Sequence, residues 1–356
     1  MTGSRITLEA VARRAGVSVA TSSKVLNGRS GVAPETRERV RQAMVELGYR
    51  PTTARADLPG SAVERVVVIF DQVDANMYSP ELLQDLLNSA AALGVEMMLR
   101  ILAPPKAGVA AARVDDWARS LLGGGCQGAL FVTCELEPAQ IQACARIELP
   151  MVAIDSQTMM TAGMVTISAS NFTGGRSQAQ YLIDLGHKRI GVIAGPKGKV
   201  FAAERAHGAV SAILDAGLGD PITLLRQGHF AYESGLELGG ELLDLPNRPT
   251  AIVANSDVCA WGVMEAARLR NVRVPQDLSV VGFDGTKLAA WSVPRLTTVV
   301  QPLEEIARLA ITTIKAMIEG RDPNTSRIQL PTQLQVGGTT APPPGAAPGK
   351  TPGDVQ

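Results

Sequence analysis

The sequence predicts an all-α helix-turn-helix head at the N-terminus, followed by an α/β core of two doubly wound parallel-sheet lobes. Three observations predict it. Residues 1–50 carry helix signals and no strand signal, whereas residues 63–340 alternate apolar β-rich runs with helical stretches. The charge divides the same way. Residues 1–60 hold ten Lys/Arg against five Asp/Glu, and the remaining 296 residues hold 24 against 29. A small basic head on an acidic body points to a polyanionic partner.

The head spans residues 5–50. Thr7 is placed to N-cap a first helix that turns Leu8, Val11 and Ala12 inward. Ala15-Gly16-Val17 reads as a tight turn in which Gly16 takes positive φ. Ser18 caps a second helix over 19–26 with Val25 inward, and Asn27-Gly28 ends it. Pro34, with Glu35 beside it, opens a third helix that runs to Leu47 and stops at Gly48. Two short helices around a glycine turn, followed by a basic third helix, read as a DNA-binding unit.

The core reads as strands at 66–70, 95–102, 129–133, 151–155, 165–168, 190–194, 222–226, 251–254, 279–283 and 297–300. Most are unbroken apolar runs, as parallel strands covered on both faces require. Helical periods fill the gaps, among them 80–93, 173–185, 202–216 and 257–270. This alternation means right-handed βαβ units. The length exceeds what one such sheet usually takes, so two lobes are expected. Residues 341–356, rich in Pro, Gly and Ala, are expected to be a disordered tail.

The string TLEAVARRAGVSVATSSKVLNG, followed by TRERV and ELGYRP, resembles the head of the lactose/galactose-repressor (LacI/GalR) family. The likeness continues through LIDLGHKRIGVIAGP, RVPQDLSVVGFD and PRLTTVVQP in the same order, so that it covers about residues 5–340. It implies a hinge helix at 51–61, which otherwise reads as a plain linker, and at 62–340 a two-lobed, dimerising core like a periplasmic sugar-binding protein.

The DNA-contacting candidates are Thr7, Ser18, Val19, Ala20, Thr21, Ser23, Lys24 and Asn27 in the head, with Arg55 and Leu58 in the hinge. The resemblance places Val19 and Ala20 at the family's specificity pair and Lys24 where Arg is common. Small apolar side chains can only pack, for instance on a thymine methyl, while Lys24 reaches a guanine edge without the Arg fork. Thr21, Ser22 and Asn27 suit phosphates, which position the protein without specifying sequence; Ser22 reads equally well as facing solvent. Leu58 matches the family's minor-groove wedge, with Pro59-Gly60 ending the hinge abruptly. The third helix lacks the family's frequent Ser cap and has Ala33 there.

In open α/β sheets, ligands bind beyond the carboxyl ends of strands. Asp71, Asp155, Asn255-Ser256-Asp257 and Asp284 stand at such ends, where an Asp can equally cap the next helix. The resemblance makes Asp155, Arg205, Phe230, Ser256 and Asp284 the effector-binding candidates. Met77 and Trp291 are further candidates for the lining, with core packing or surface the more frequent alternative for such residues. Carboxylates, an Arg fork and an aromatic face suit a sugar. Three departures from the family's pattern bear on which ligand is bound: Ser170 replaces an Asp, Gly285 follows Asp284, and 71–79 match only loosely.

Other chemistry finds no support. GGGCQG at 123–128 follows a helix and precedes a strand, the reverse of a dinucleotide-binding context. GPKGKV at 195–200 lacks the first Gly and the Ser/Thr of a phosphate loop. The histidines at 187, 207 and 229 have no metal spacing, and His187 is expected to pack at a helix–strand junction. The four cysteines form no CxxC pair and read as buried free thiols of a reducing compartment. No cofactor, signal peptide or membrane span is expected, so the chain should act in the cytoplasm. The favoured reading is a transcriptional repressor, homodimeric on a near-palindromic duplex operator and controlled by a small carbohydrate effector. A sugar transport protein and an enzyme are the alternatives. The head argues against the first, and the missing catalytic constellation against the second.

Overall fold

The computed structural model describes residues 7–26, 32–47, 63–70, 77–100, 111–156 and 164–345. The chain divides into two compact units, Met1–Ala62 and Val63–Gln356.

The first unit holds helices α1 (Leu8–Ala15), α2 (Val19–Leu26) and α3 (Pro34–Leu47). Thr7 Oγ1 caps α1 by accepting from the Ala10 amide at 3.3 Å, and Gly16 leaves the helix at φ 65°. Ser18 Oγ accepts from the Thr21 amide at 3.1 Å and so caps α2. Val11, Ala15, Val25, Val40 and Ala43 form the small core these helices share. The turn, both caps and the inward residues stand where the sequence puts them.

In the second unit, a first lobe carries strands β1 (Glu64–Phe70), β2 (Val95–Arg100), β3 (Gly128–Val132), β4 (Met151–Ile154) and β5 (Met164–Ala169). A second lobe carries β6 (Ile190–Ala194), β7 (Leu225–Gln227), β8 (Ala251–Ala254), β9 (Ser279–Asp284) and β10 (Thr297–Val300). Two late strands, β11 (Arg327–Leu330) and β12 (Gln333–Gln335), go one to each lobe. The sheet orders are β11-β5-β4-β3-β1-β2 and β12-β10-β9-β8-β6-β7. All pairings are parallel except β10 with β12.

Helices cover both faces of each sheet. The first lobe packs α4 (Tyr78–Leu93) and α12 (Leu303–Ile318) on one side, and α5 (Ala111–Leu121) and α6 (Pro138–Arg146) on the other. The second lobe packs α9 (Tyr232–Leu243) and α10 (Asp257–Leu269) against one face, and α7 (Asn171–Asp184) and α8 (Val200–Asp215) against the other. A short α11 (Lys287–Trp291) follows β9. Cover on both faces explains the unbroken apolar strands: β1, β3, β4, β6, β8 and β9 are buried along most or all of their length. The chain crosses between lobes three times, at 169–171, 300–303 and 330–333.

Three expectations change. The strand expected at 222–226 begins later, because Asp220 and Pro221 set a 3₁₀ turn over Pro221–Leu224, with Asp220 Oδ1 accepting from the Ile222 amide at 2.9 Å. The strands β11 and β12 escaped the sequence reading because each alternates exposed and half-buried residues rather than forming an apolar run. The segment expected to be disordered from 341 starts with a pinned residue. The Ala341 carbonyl accepts from Ser279 Oγ at 2.9 Å, and its amide donates back to that oxygen at 3.0 Å. Residues 346–356 lie outside the described residues.

Candidate functional site

One cavity of about 680 Å³ opens in the second unit, lined from both lobes. Asp155, Arg205, Phe230 and Asp284, four of the five effector candidates, line it together, and Met77 joins them. The fifth candidate, Ser256, does not. It is fully buried and its Oγ caps α10, accepting from the Cys259 amide at 3.2 Å. Trp291 takes its surface alternative: it is 67% exposed and lies outside the cavity lining.

Strand ends place the carboxylates. Asp155 follows β4 and Asp284 ends β9, both at positive φ, 48° and 114°; Thr133, after β3, takes φ 54° and lines the cavity too. Positive φ in a residue with a side chain is strained, and such strain collects at functional sites.

Arg205 comes from α8 and is 4% exposed. Its Nε donates to Asn171 Oδ1 at 2.8 Å, and Nη1 donates to the Asn255 carbonyl and to Asp284 Oδ1, each at 2.9 Å. Asp284 Oδ1 also accepts from Gln301 Nε2 at 2.8 Å. The guanidinium lies 3.8 Å from the centroid of the Phe283 ring, a stacked cation–π geometry. Close backbone approach fixes this arrangement. A Cβ on Gly175 of α7 would fall 2.0 Å from the Arg205 carbonyl oxygen, and one on Gly208 of α8 would fall 2.0 Å from that of Phe172. Only glycine lets α7 and α8 cross this tightly.

Across the cleft, Tyr78 at the start of α4 donates its hydroxyl to Asp155 Oδ2. The other oxygen, Asp155 Oδ1, is buried and has no hydrogen-bond partner among the described residues. Burial pushes the Asp155 carboxyl above the ordinary carboxylate range, against the Tyr78 hydrogen bond and the Arg205 charge. Burial also raises Asp284, with Arg205 opposing the shift. Asp257 is raised by burial and by Asp284, yet it holds structure: its Oδ2 accepts from the Thr286 amide at 2.7 Å and from Thr286 Oγ1 at 2.9 Å.

The raised Asp155 gives a testable sign. An unfolded chain releases this proton near pH 4, the ordinary carboxylate value, while the folded site still holds it. Folded stability therefore falls as pH rises from there to the raised value. Relative to wild type, Asp155→Asn is expected to gain stability over that window, read as the pH dependence of the difference in thermal unfolding. A difference independent of pH contradicts the assignment.

Polar contacts tie the lobes over the cavity. Lys199 Nζ lies 3.0 Å from Glu135 Oε1, the Lys287 amide donates to Glu81 Oε1 at 2.8 Å, and Arg327 faces Glu204 at 3.6 Å. Sequence reasoning missed Tyr78 and Asn171. The first lay in the loosely matching 71–79 stretch, and the second stood beside the departing Ser170. His187 is buried as expected, with Nδ1 2.8 Å from Thr250 Oγ1 and Nε2 2.9 Å from the Ala341 carbonyl. All four cysteines are buried and outside any disulfide, and burial pushes the Cys144 and Cys259 thiols up to about 12.

On the head, Val19, Ala20 and Lys24 are exposed along α2, and Ser23 is half-buried. Thr7 and Ser18 are caps, and the Thr21 hydroxyl pairs with that of Ser18 at 2.8 Å. Ser22 is a correction to both sequence readings. It is fully buried, and its Oγ has no partner among the described residues, so it faces neither phosphate nor solvent. Asn27, Arg55 and Leu58 lie outside the described residues. No helix among the described residues is long and apolar enough to cross a membrane, and no cluster of three metal-ligating side chains occurs among them.

A helix-turn-helix head joined to a two-lobed core with a central cleft defines a class of ligand-responsive DNA-binding proteins. Comparison with known proteins agrees. The profile of the bacterial regulatory proteins of the lacI family matches residues 7–52, and that of the periplasmic binding protein-like domain matches 179–340. The chain is 32% identical over 334 residues to the HTH-type transcriptional regulator CelR of Thermobifida fusca, covering 93% of this chain and 97% of that one. It is 31% identical over 342 residues to the HTH-type transcriptional regulator DegA of Bacillus subtilis (strain 168), covering 95% and 99%. Among solved structures, a transcriptional regulator CelR–cellobiose complex matches with TM-score 0.69 at 30% identity, covering 94% of this chain and all of that one. A lac repressor dimer bound to operator and the anti-inducer ONPF matches with TM-score 0.66 at 25% identity, covering 95% and 100%. The chain belongs to the LacI family: it is a DNA-binding transcriptional regulator, not an enzyme.

Proposed function

We propose that this regulator is a cytoplasmic repressor that binds a near-palindromic operator as a homodimer and answers to a carbohydrate held between its lobes. The observation that carries the effector reading is the unpartnered Asp155 Oδ1, buried in a residue that shares its cavity with the Arg205–Asp284 pair. A buried acceptor without a donor costs roughly 1–3 kcal/mol, and a ligand hydroxyl supplies the donor. The remaining carboxylate oxygens and Arg205 suit further hydroxyls, and Phe230 offers a face for sugar C–H groups. Carbohydrate binding is also supported by the relative whose structure holds cellobiose, and dimeric operator binding by the lac repressor complex.

On DNA, Val19 and Ala20 pack on base edges while Lys24 reaches an acceptor. Leu58 is the proposed minor-groove wedge. Ligand between the lobes biases their closure, and that equilibrium is coupled to operator affinity, reciprocally. The test is a titration of full-length protein on duplex DNA from its own upstream region, with and without a panel of sugars, at several salt concentrations. Salt-dependent binding that a sugar shifts at least tenfold is expected. Binding that no carbohydrate alters contradicts the effector reading, and equal affinity for unrelated duplexes contradicts the operator reading.

A further inference from the structure

The cavity carries two aromatic platforms. The chain has only three Trp, four Tyr and six Phe, and five of these thirteen (Tyr78, Phe201, Phe230, Tyr232 and Trp261) line this one cavity. Phe201 and Phe230 form the first platform. They stack at 5.6 Å between centroids and 9° between planes, each within 6 Å of the Arg205 guanidinium. Tyr232 of α9 and Trp261 of α10 form the second, edge to face at 6.1 Å.

The second platform differs from the first in exposure and in firmness. Trp261 is 47% exposed, whereas the core tryptophan Trp117 is 8% exposed. Leaving half an indole in water forgoes burial, and a large apolar side chain kept wet at a cavity marks a contact surface. Nor is it loosely held. A Cβ on Gly235 would lie 1.9 Å from the Cys259 carbonyl oxygen, and one on Gly262 would lie 2.0 Å from that of Tyr232. The backbones of α9 and α10 therefore touch at the crossing that carries both rings. Glu233, exposed beside Tyr232, also lines the cavity and supplies an acceptor next to the rings. A cavity of about 680 Å³ is of the size that buries a drug-sized ligand, more than one sugar ring fills.

Resting on the carbohydrate reading above, we propose that the effector is a glycoside of at least two rings. The first ring is held by Asp155, Arg205 and Asp284 against Phe230. The second lays its C–H face on the indole of Trp261, with Glu233 accepting from an edge hydroxyl. Trp261 is then a specificity residue that selects for length.

The test is calorimetric titration of full-length wild type and Trp261→Ala with matched pairs: glucose and cellobiose, xylose and xylobiose, galactose and lactose. Trp261→Phe serves as the conservative variant. Tryptophan fluorescence is followed in parallel. Wild type is expected to bind the two-ring member of its accepted pair at least tenfold more tightly than the one-ring member and to change its emission on binding it. Trp261→Ala is expected to lose most of that ratio while its one-ring affinity moves little, and Trp261→Phe to recover part of it. An unchanged ratio in Trp261→Ala overturns the proposal, as does equal wild-type affinity for one ring and two; both leave the carbohydrate reading standing. Failure of every sugar to bind wild type overturns the carbohydrate reading and this one with it.

Discussion

Arg205→Ala is expected to abolish the effector response and to destabilise the second lobe by about 3–5 kcal/mol, the cost of breaking a buried ion pair from one side. The guanidinium holds three acceptors from three places: Asn171 at the start of α7, the Asn255 carbonyl after β8, and Asp284 at the end of β9. Without it, Asp284 stays buried with Gln301 as its remaining donor. Burial already raises the Asp284 carboxyl, and Arg205 is the main opposing influence. Its loss leaves only the Gln301 hydrogen bond against burial, so the variant's deficit grows as pH rises above the already raised value that Asp284 holds in wild type. Urea unfolding at two pH values reads both effects.

Destabilisation on that scale could hide a binding role, so Arg205→Lys is the informative companion. It keeps the charge but loses the planar fork, and one ammonium cannot replace both Nε and Nη1 in their fixed directions. The lysine variant is expected to fold and to lose about 2–4 kcal/mol of effector affinity, while operator affinity without effector stays near wild type. An unchanged half-maximal effector concentration in Arg205→Lys means that Arg205 holds the lobe together and does not touch ligand.

What the sequence made legible follows from how local each signal is. Caps and turns are local: Thr7, Gly16, Ser18 and Pro34 act on neighbours within one helical turn, and all four stand in their expected roles. Buried parallel strands announce themselves as apolar runs, which is why 190–194, 251–254 and 297–300 coincide with β6, β8 and β10. The edge strands β11 and β12 carry no such run, because an edge strand need not be apolar and these pair at the rims of their sheets.

The site divides along the same line. Strand-end logic together with family resemblance brought Asp155, Arg205, Phe230 and Asp284 to one cavity. It failed at Ser256, where a strand-end Ser had two possible jobs and the adjacent α10 took it as a cap. It also named Trp291 and passed over Trp261, which lines the cavity. Trp261 meets the cleft because the α9–α10 crossing sets its ring against Tyr232, a long-range arrangement that no local signal announces. Tyr78 escaped because its partner Asp155 is 77 residues away in the other half of the same lobe.

Phe283→Ala is the other variant with a large expected effect. The ring is fully buried, with the Arg205 guanidinium 3.8 Å from its centroid. On another side it meets α7, where a Cβ added at Gly174 would fall 2.7 Å from a ring carbon. Emptying so tight a space is expected to cost about 3–5 kcal/mol, because neither the helix nor the strand can close in on the gap. A desolvated cation–π contact contributes up to about 2 kcal/mol of its own. Phe283→Leu separates the two contributions. It keeps most of the volume, so its stability cost should stay within about 1.5 kcal/mol, but it removes the face on which the guanidinium rests. Arg205 then loses the support that orients its fork, and effector affinity is expected to fall at least tenfold with operator affinity unchanged. A double-mutant cycle pairing Phe283→Leu with Arg205→Lys should give a coupling of about 0.5–3 kcal/mol in effector affinity, as contacting residues do. Additive effects, with wild-type effector affinity in Phe283→Leu, would show that the ring only fills the core and that Arg205 is oriented by its hydrogen bonds alone.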